Sequence, residues 1–435
     1  MENRIEKSDL LAKLFSFQRF GIKPGLERTE KLLKFLGNPQ KFFPAVHVAG
    51  TNGKGSVCSI LTSVLMEAGY KVGLYTSPHI VSFNERIRIN GIEISHEELV
   101  DYTKILLPEA EEIGCTFFEI NTALAFMHFA SHRVDVAVIE TGMGGRFDST
   151  NVLSPLLSVI TQIDLDHMGY LGDTLADIAS EKAGIMKNDT VTVIAKQHPK
   201  LNQLFKELSI DANSKIIFAD NLFFGKIKEF LPDITMKVEI NGANNKKCFF
   251  NPGFAGKHQL NNLITALAAL NYLKGNFKIS QENTENGLKY IIKNTGLHAR
   301  IELLRANPPV IIDVAHNPSA VKALLETLSD CGYGTIQWNI IFAAMADKEV
   351  RKILSILKNN CAKLIITTPK IDRAMSLKKL AEIAKRLEFK FIEPFQEVSD
   401  AVLFALSENI PTLCVGSFYL AGEALPVLKE KLSNG

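Results

Sequence analysis

The residues with the most chemical promise lie between positions 44 and 56. A β-branched stretch there runs into Gly50-Thr-Asn-Gly-Lys-Gly-Ser56, and an apolar, helix-periodic run follows from 57 to 68. Glycines at 50, 53 and 55 permit the positive-φ, close-approach backbone that wraps an anion, and the N–H groups of a helix start point the same way. Lys54 adds a point charge, and Thr51 or Ser56 offers a hydroxyl toward a magnesium ion. This is phosphate-binding chemistry. The spacing departs from the usual P-loop, because Gly55 intervenes between Lys54 and Ser56 and the earlier glycine is Gly50. A glycine-rich turn without a ligand is the plain alternative, but packing alone gives little reason for a lysine beside three glycines.

Further polar groups end other apolar runs. Residues 71–75 lead into Thr76-Ser-Pro-His79, residues 134–140 end in Glu140 before Thr141-Gly-Met-Gly-Gly-Arg146, and residues 158–163 lead into Asp164-Leu-Asp-His167. Open α/β sheets place ligands at the carboxyl ends of their strands, and a carboxylate beside a glycine-rich loop suits a magnesium–phosphate site. Read singly, Glu140 serves equally well as a structural acid; for His167 a solvated turn histidine is the plain alternative, and the candidate ligands ending at neighbouring strands weigh against it. Lys182, within Ala179-Ser-Glu-Lys-Ala-Gly184, reads as a helix-surface lysine.

The elements that must position these groups follow from the patterning. Helical periodicity at 8–35 breaks at Gly21-Ile-Lys-Pro-Gly25 and precedes the phosphate loop; helices are expected over 116–133, 175–186, 258–273 and 281–292. Residues 83–91 read as a strand or hairpin, and 208–254 as an antiparallel appendage on a parallel sheet. The pattern breaks at 294–299, after which strand–helix alternation restarts at 310–313, 338–343, 364–367 and 412–415. This predicts a second doubly wound unit, so the division expected is 1–295, a hinge at 296–300, and 301–435.

Composition limits the partners. The 435 residues carry a net charge of +2 with no long basic block, which argues against nucleic acid or an anionic membrane. Six scattered cysteines without a Cys-x-x-Cys pair fit reduced thiols, and no signal peptide or membrane span is visible, so a cytoplasmic location is expected.

Taken in order, Gly50–Ser56, Thr76-Ser-Pro-His79, Phe83-Asn-Glu-Arg-Ile, Glu140–Arg146 with Asp148-Ser-Thr-Asn151, Asp166-His167, Glu181-Lys-Ala-Gly-Ile185, His258-Gln259, Ala315-His-Asn-Pro318 and Gly416-Ser417 resemble folylpolyglutamate synthase/dihydrofolate synthase, the folate branch of the Mur ligases. The resemblance spans nearly the whole chain. It implies an α/β fold: a P-loop-containing ATPase domain with a mainly parallel sheet, and a smaller Rossmann-like C-terminal domain that binds glutamate. It also implies an ATP-dependent ligase adding L-glutamate to dihydropteroate, to reduced folates, or to both, through an acyl phosphate.

By the same resemblance Thr51, Asn52, Gly53, Lys54, Gly55, Ser56, Asn261, Arg300 and Asp313 would contact ATP. Ser77, Glu140 and His167 would hold one magnesium ion. Lys182 would be carbamylated, serving catalysis and a second ion. Gly25, Leu26, Phe118, Glu119, Thr122, Phe147, Asp148 and Ser149 would line the pterin side. His316 and Ser417 would meet glutamate, His316 and Lys54 acting in catalysis. A monomer is expected. Two departures stand out: Ala299 precedes Arg300 and Val314 follows Asp313 where the family usually has glycine, which predicts a different hinge path. Another Mur-type amino-acid ligase and a P-loop switch without a ligase step remain the alternatives.

Overall fold

The computed structural model describes residues 10–17, 21, 23–166, 168–242 and 247–433. The main sheet is built from β1 (Ala45–Ala49), β2 (Val72–Tyr75), β3 (Ile87–Ile89), β4 (Ile92–Glu93), β5 (Val136–Glu140), β6 (Leu157–Ile160), β7 (Val191–Ile194) and β8 (Lys215–Phe218). Their order is β4-β3-β2-β5-β1-β6-β7-β8, parallel except where β3 pairs with β2 and β4. The central strands β1, β5 and β6 are buried throughout because helices cover both faces, which is why they read as continuous apolar runs.

Those helices include α1 (Lys54–Glu67), α2 (His96–Ile113), α3 (Phe117–Ser131), α4 (Leu175–Ala183) and α5 (Lys257–Leu273). α3 is apolar nearly all round and correspondingly buried. It starts at Thr116, whose hydroxyl caps the Glu119 N–H while the Glu119 carboxylate takes the Thr116 N–H.

Register aligns the chemistry. Val48 lies opposite Glu140, Ala49 opposite Ile160, and Tyr75 opposite Ile139. The segments following β1, β2, β5 and β6 therefore emerge along one edge of the sheet, which brings Gly50, Ser77, Glu140 and Asp164 together.

The stretch 208–254 is not one antiparallel appendage. Its first residues finish the helix Pro199–Asp211, and β8 extends the main sheet parallel to β7. Only β9 (Phe223–Phe230), β10 (Met236–Gly242) and β11 (Lys247–Phe250) form a separate antiparallel sheet. β-forming composition marks all of these as strands; the preceding helix decides which run parallel. Likewise 281–292 divides at Tyr290 into Gln281–Lys289 and Ile291–Thr295.

The second unit contains β12 (Glu302–Ala306), β13 (Pro309–Asp313), β14 (Trp338–Phe342), β15 (Cys361–Ile366), β16 (Ile392–Pro394) and β17 (Thr412–Val415), in the order β12-β13-β17-β14-β15-β16. Five of these strands run parallel, and β12 is an antiparallel edge. Helices α6 (Pro318–Leu328) and α7 (Phe418–Ser433) follow β13 and β17. The two units touch: Lys257 pairs with Asp330 at 3.0 Å, Tyr333 donates to the Pro232 carbonyl at 2.6 Å, and a Cβ on Gly422 would meet the Ile80 carbonyl at 2.1 Å.

Candidate active site

The phosphate loop is held from behind by β6. The Thr51 and Asn52 N–H groups donate to the Gln162 carbonyl, and the Thr51 hydroxyl sits 3.1 Å from both the carbonyl and the N–H of Asp164. Gly50 (φ +151°) and Gly53 (φ +87°) take the positive-φ turns. Gly55 does not; it lies within α1, and what its missing side chain leaves open is the space beside Glu140, whose carboxylate would be 3.7 Å from a Cβ there. Ser56 is buried in the first turn of the same helix.

Two lysines meet on one carbonyl. Lys54 Nζ lies 3.0 Å from the Gly50 oxygen and 3.3 Å from the Thr51 oxygen, while Lys182 Nζ lies 2.8 Å from the same Gly50 oxygen. Lys182 is 3% exposed, so the helix-surface reading fails. Burial first, and the Lys54 charge second, lower its pKa from 10.5 to about 7, with Asp166 and Asp148 opposing. Periodicity could not reveal this, because α4 presents Lys182 between small residues to a neighbouring loop, with Gly145 pressed against its backbone.

Glu140 is buried, and its Oε2 accepts the Ser77 N–H at 3.2 Å. Burial raises its pKa above the ordinary carboxylate value; Lys54, the Ser77 N–H, Arg300 and Arg86 act in the opposite direction. Arg300, on the linker to the second unit, thus shares the field of the phosphate loop. His167 lies outside the described residues.

From the second unit, the Arg300 guanidinium stands 5.2 Å from the Phe418 ring and the His316 ring 5.8 Å from the same phenyl. His316 Nδ1 donates to the Val314 carbonyl at 3.0 Å, leaving Nε2 as the ring's acceptor, and burial lowers its pKa. Asp313 accepts the Ile301 N–H on one oxygen and the Ala315 N–H on the other, each at 2.7 Å, so its carboxylate braces the linker against the His316 loop. Ser417 is buried and its hydroxyl caps the Leu420 N–H at 3.0 Å. At the two expected glycine positions the outcome differs. Ala299 adopts φ +53° and Ile301 φ +54°, so the linker keeps a left-handed path without glycine, whereas Val314 is outside that region.

On the pterin side, Phe118 packs against Gly142, where a Cβ would come within 2.3 Å of its ring, and Tyr75 stands 6.1 Å from it. The Thr122 and Ser149 hydroxyls are 2.5 Å apart. Glu119 is committed to Arg28 at 2.9 Å, and Arg28 in turn reaches the Lys23 carbonyl, which ties the Gly25-Leu26 turn to α3. Asp148 accepts from the Gly142, Met143 and Thr150 N–H groups, so it shapes its loop. Phe147 is half exposed at the rim.

The Mur ligase middle domain matches residues 48–270, and the Mur ligase glutamate ligase domain matches residues 299–418. The Bacillus subtilis dihydrofolate synthase/folylpolyglutamate synthase is 36% identical, over 94% of this chain and 96% of its own. The chain belongs to the dihydrofolate synthase/folylpolyglutamate synthase family. It is an ATP-dependent Mur-type ligase that joins glutamate to folates. Among solved structures, Mycobacterium tuberculosis folylpolyglutamate synthase complexed with ADP and AMPPCP is similar at TM-score 0.83 and 30% identity, covering 96% of this chain and 99% of that one. E. coli FolC in complex with DHPP and ADP also gives TM-score 0.83, at 26% identity over 97% and 98% of the chains.

Within this ligase the structure adds groups that residue patterns did not single out. Asn262, rather than the exposed Asn261, lies against the phosphate loop; its Oδ1 would be 2.1 Å from a Cβ on Gly53. Arg86 is buried, donates to His79 Nδ1 at 2.8 Å, and lies beside Phe83 and Phe117 near Glu140. Its signal was present as the arginine of Phe-Asn-Glu-Arg, a buried charge within an apolar hairpin.

Proposed function

We propose that the ligase activates the carboxylate of a bound pteroate or folate between the strand ends of the main sheet and the second unit. A carboxylate oxygen attacks the γ-phosphorus of ATP and releases ADP; the glutamate amine then attacks the carbonyl carbon of the acyl phosphate, and phosphate leaves as the amide forms. Lys54 and the loop N–H groups hold the phosphates, and Arg300 offsets charge from the second domain. His316, neutral and with Nε2 unprotonated, takes the proton that the glutamate ammonium must lose before it attacks.

The donor set suits a hard divalent cation. Glu140 is a buried carboxylate that desolvation pushes toward its neutral form, and a cation beside it would restore the anion. Ser77, Glu140 and His167 would hold magnesium, which would neutralise charge on the transferring phosphoryl group. Lys182, with its lowered pKa, would supply the neutral amine needed for carbamylation by carbon dioxide, giving an anion for a second ion. Residues 296–300 would serve as the hinge between domains 1–295 and 301–435, and closure would bring His316 to the phosphates. The protein is proposed to act as a monomer on small molecules in the cytoplasm.

The observation that carries this reading is the convergence at one sheet edge of Lys54 and Lys182 on the Gly50 carbonyl and of the buried Glu140 on the Ser77 N–H. The test is magnesium-dependent ADP release with L-glutamate, offering dihydropteroate and tetrahydrofolate separately and weighing the products. A glutamate-sized gain on either acceptor is expected, and gain on both marks a bifunctional enzyme. ADP release with no mass gain on either acceptor overturns it.

A further inference from the structure

At the end of α3 far from the pterin side, three groups converge that the ligase reaction does not use. His128 lies one helical turn before His132, so both face the same side, and Glu98 reaches them from α2. His128 is 3% exposed and its Nδ1 has no hydrogen-bond partner. That nitrogen faces Glu98 Oε1 at 3.8 Å, and His132 Nε2 lies 3.2 Å from the same oxygen. One ligand atom from each residue lies within 4.8 Å of the others.

The surrounding polar groups hold these side chains in place. His132 Nδ1 is 3.0 Å from the His128 carbonyl and 3.2 Å from the Ser131 hydroxyl, so with the ring proton on Nδ1 the ring is anchored to its own helix and Nε2 is the nitrogen available to a metal. The Ser131 hydroxyl is 3.0 Å from the same carbonyl and 2.7 Å from the Tyr102 hydroxyl. His132 Nε2, the unpartnered buried His128 Nδ1 and a Glu98 oxygen therefore face one another, and a bound cation would take the place of the proton between Nε2 and the carboxylate. Anchoring a ligand histidine through its other nitrogen to a backbone carbonyl is the usual outer arrangement of a metal site. The Lys71 ammonium, the nearby cation, is turned to the His132 carbonyl at 2.7 Å.

We propose that Glu98, His128 and His132 bind a divalent transition-metal ion, of which zinc fits best, with the fourth position open to water. Bonds of about 2.0–2.2 Å in a tetrahedron place ligand atoms roughly 3.3–3.6 Å apart, and the two measured separations bracket that value. Two imidazoles with one carboxylate favour zinc over magnesium or calcium, which take oxygen. The site is distinct from the pterin side, since His132 lies about 15 Å along the helix from Thr122. A bound ion would clip α2 to the end of α3.

The test uses the full-length protein, stripped with chelator and held in saturating magnesium and ADP so that the phosphate site is filled. Zinc chloride is titrated against a chromophoric chelator, with His132→Asn and Glu98→Gln alongside wild type. The proposal expects one tight zinc equivalent that each variant weakens by about tenfold or more, a zinc-dependent rise in melting temperature confined to wild type, and a cobalt(II) visible spectrum lost in the variants. Both altered side chains are about one-third exposed, so the zinc-free melts should match wild type; should one variant fold poorly, the other reads the site. Zinc binding and cobalt spectra that are the same in wild type and a folded variant overturn the proposal.

Discussion

Replacing Lys182 by methionine separates the cost of burying this lysine from its use. The ammonium is 3% exposed, and its pKa falls from 10.5 to about 7. With the ordinary value only about 0.03% of the amine would be neutral at pH 7; with the lowered one about half is, a gain of roughly a thousandfold in the form that carbon dioxide attacks. The displacement corresponds to about 5 kcal/mol disfavouring the charged form, from burial and the Lys54 charge together. The sign follows from proton counts. Between about pH 7 and 10.5 the unfolded chain holds a proton that the folded chain has released, so wild-type stability rises with pH across that window and the penalty is complete below it. In carbon-dioxide-free buffer, Lys182→Met is therefore expected to be more stable than wild type at pH 6 by a few kcal/mol. Raising the pH from about 7 to about 9 should return about 2 kcal/mol to wild type relative to the variant. Urea unfolding of both proteins across that range measures this, and ligase activity of the variant should be lost even though the fold is stronger. A stability difference independent of pH, or a variant weaker than wild type at pH 6, would refute the reasoning.

Three further perturbations follow from the linker and the loop. Ala299→Val places a β-branched residue at φ +53° in a fully buried position and should cost about 2 kcal/mol or more, read as a lower urea midpoint. Asp313→Asn leaves one of the Ile301 and Ala315 N–H groups facing an amide NH2; a loss of about 1–3 kcal/mol is expected in the same assay, with faster proteolysis of the linker. Gly53→Ala drives a Cβ into Asn262 at φ +87°, so ATP binding measured by calorimetry should weaken by at least about tenfold while the second domain keeps its fold.

Much of this protein is legible in the chain alone. The phosphate loop could be read because its chemistry is local: glycine freedom, a lysine and a helix start all fall within seven residues. Glu140 and Ser77 could be read as site candidates because strand ends in a parallel sheet meet at one edge, and apolar runs followed by polar residues mark those ends. The restart of strand–helix alternation near 300 likewise announced the second sheet.

Tertiary structure decided what depends on neighbours distant in sequence. Lys182 became a buried amine on the Gly50 carbonyl, 132 residues away, which no helical pattern encodes. Glu119 and Asp148, offered as pterin contacts, spend their oxygens on Arg28, Thr116 and loop N–H groups, because a buried carboxylate must satisfy its acceptors wherever donors lie. β8 joined the parallel sheet because the helix before it carried the chain back across the face, a matter of topology that β-forming composition leaves open. The lack of glycine at 299 and 314 was a poor guide for the same reason. Backbone path is set by the Asp313 brace and the packing of both domains around the linker, and that packing holds Ala299 and Ile301 in a left-handed turn that their own side chains disfavour.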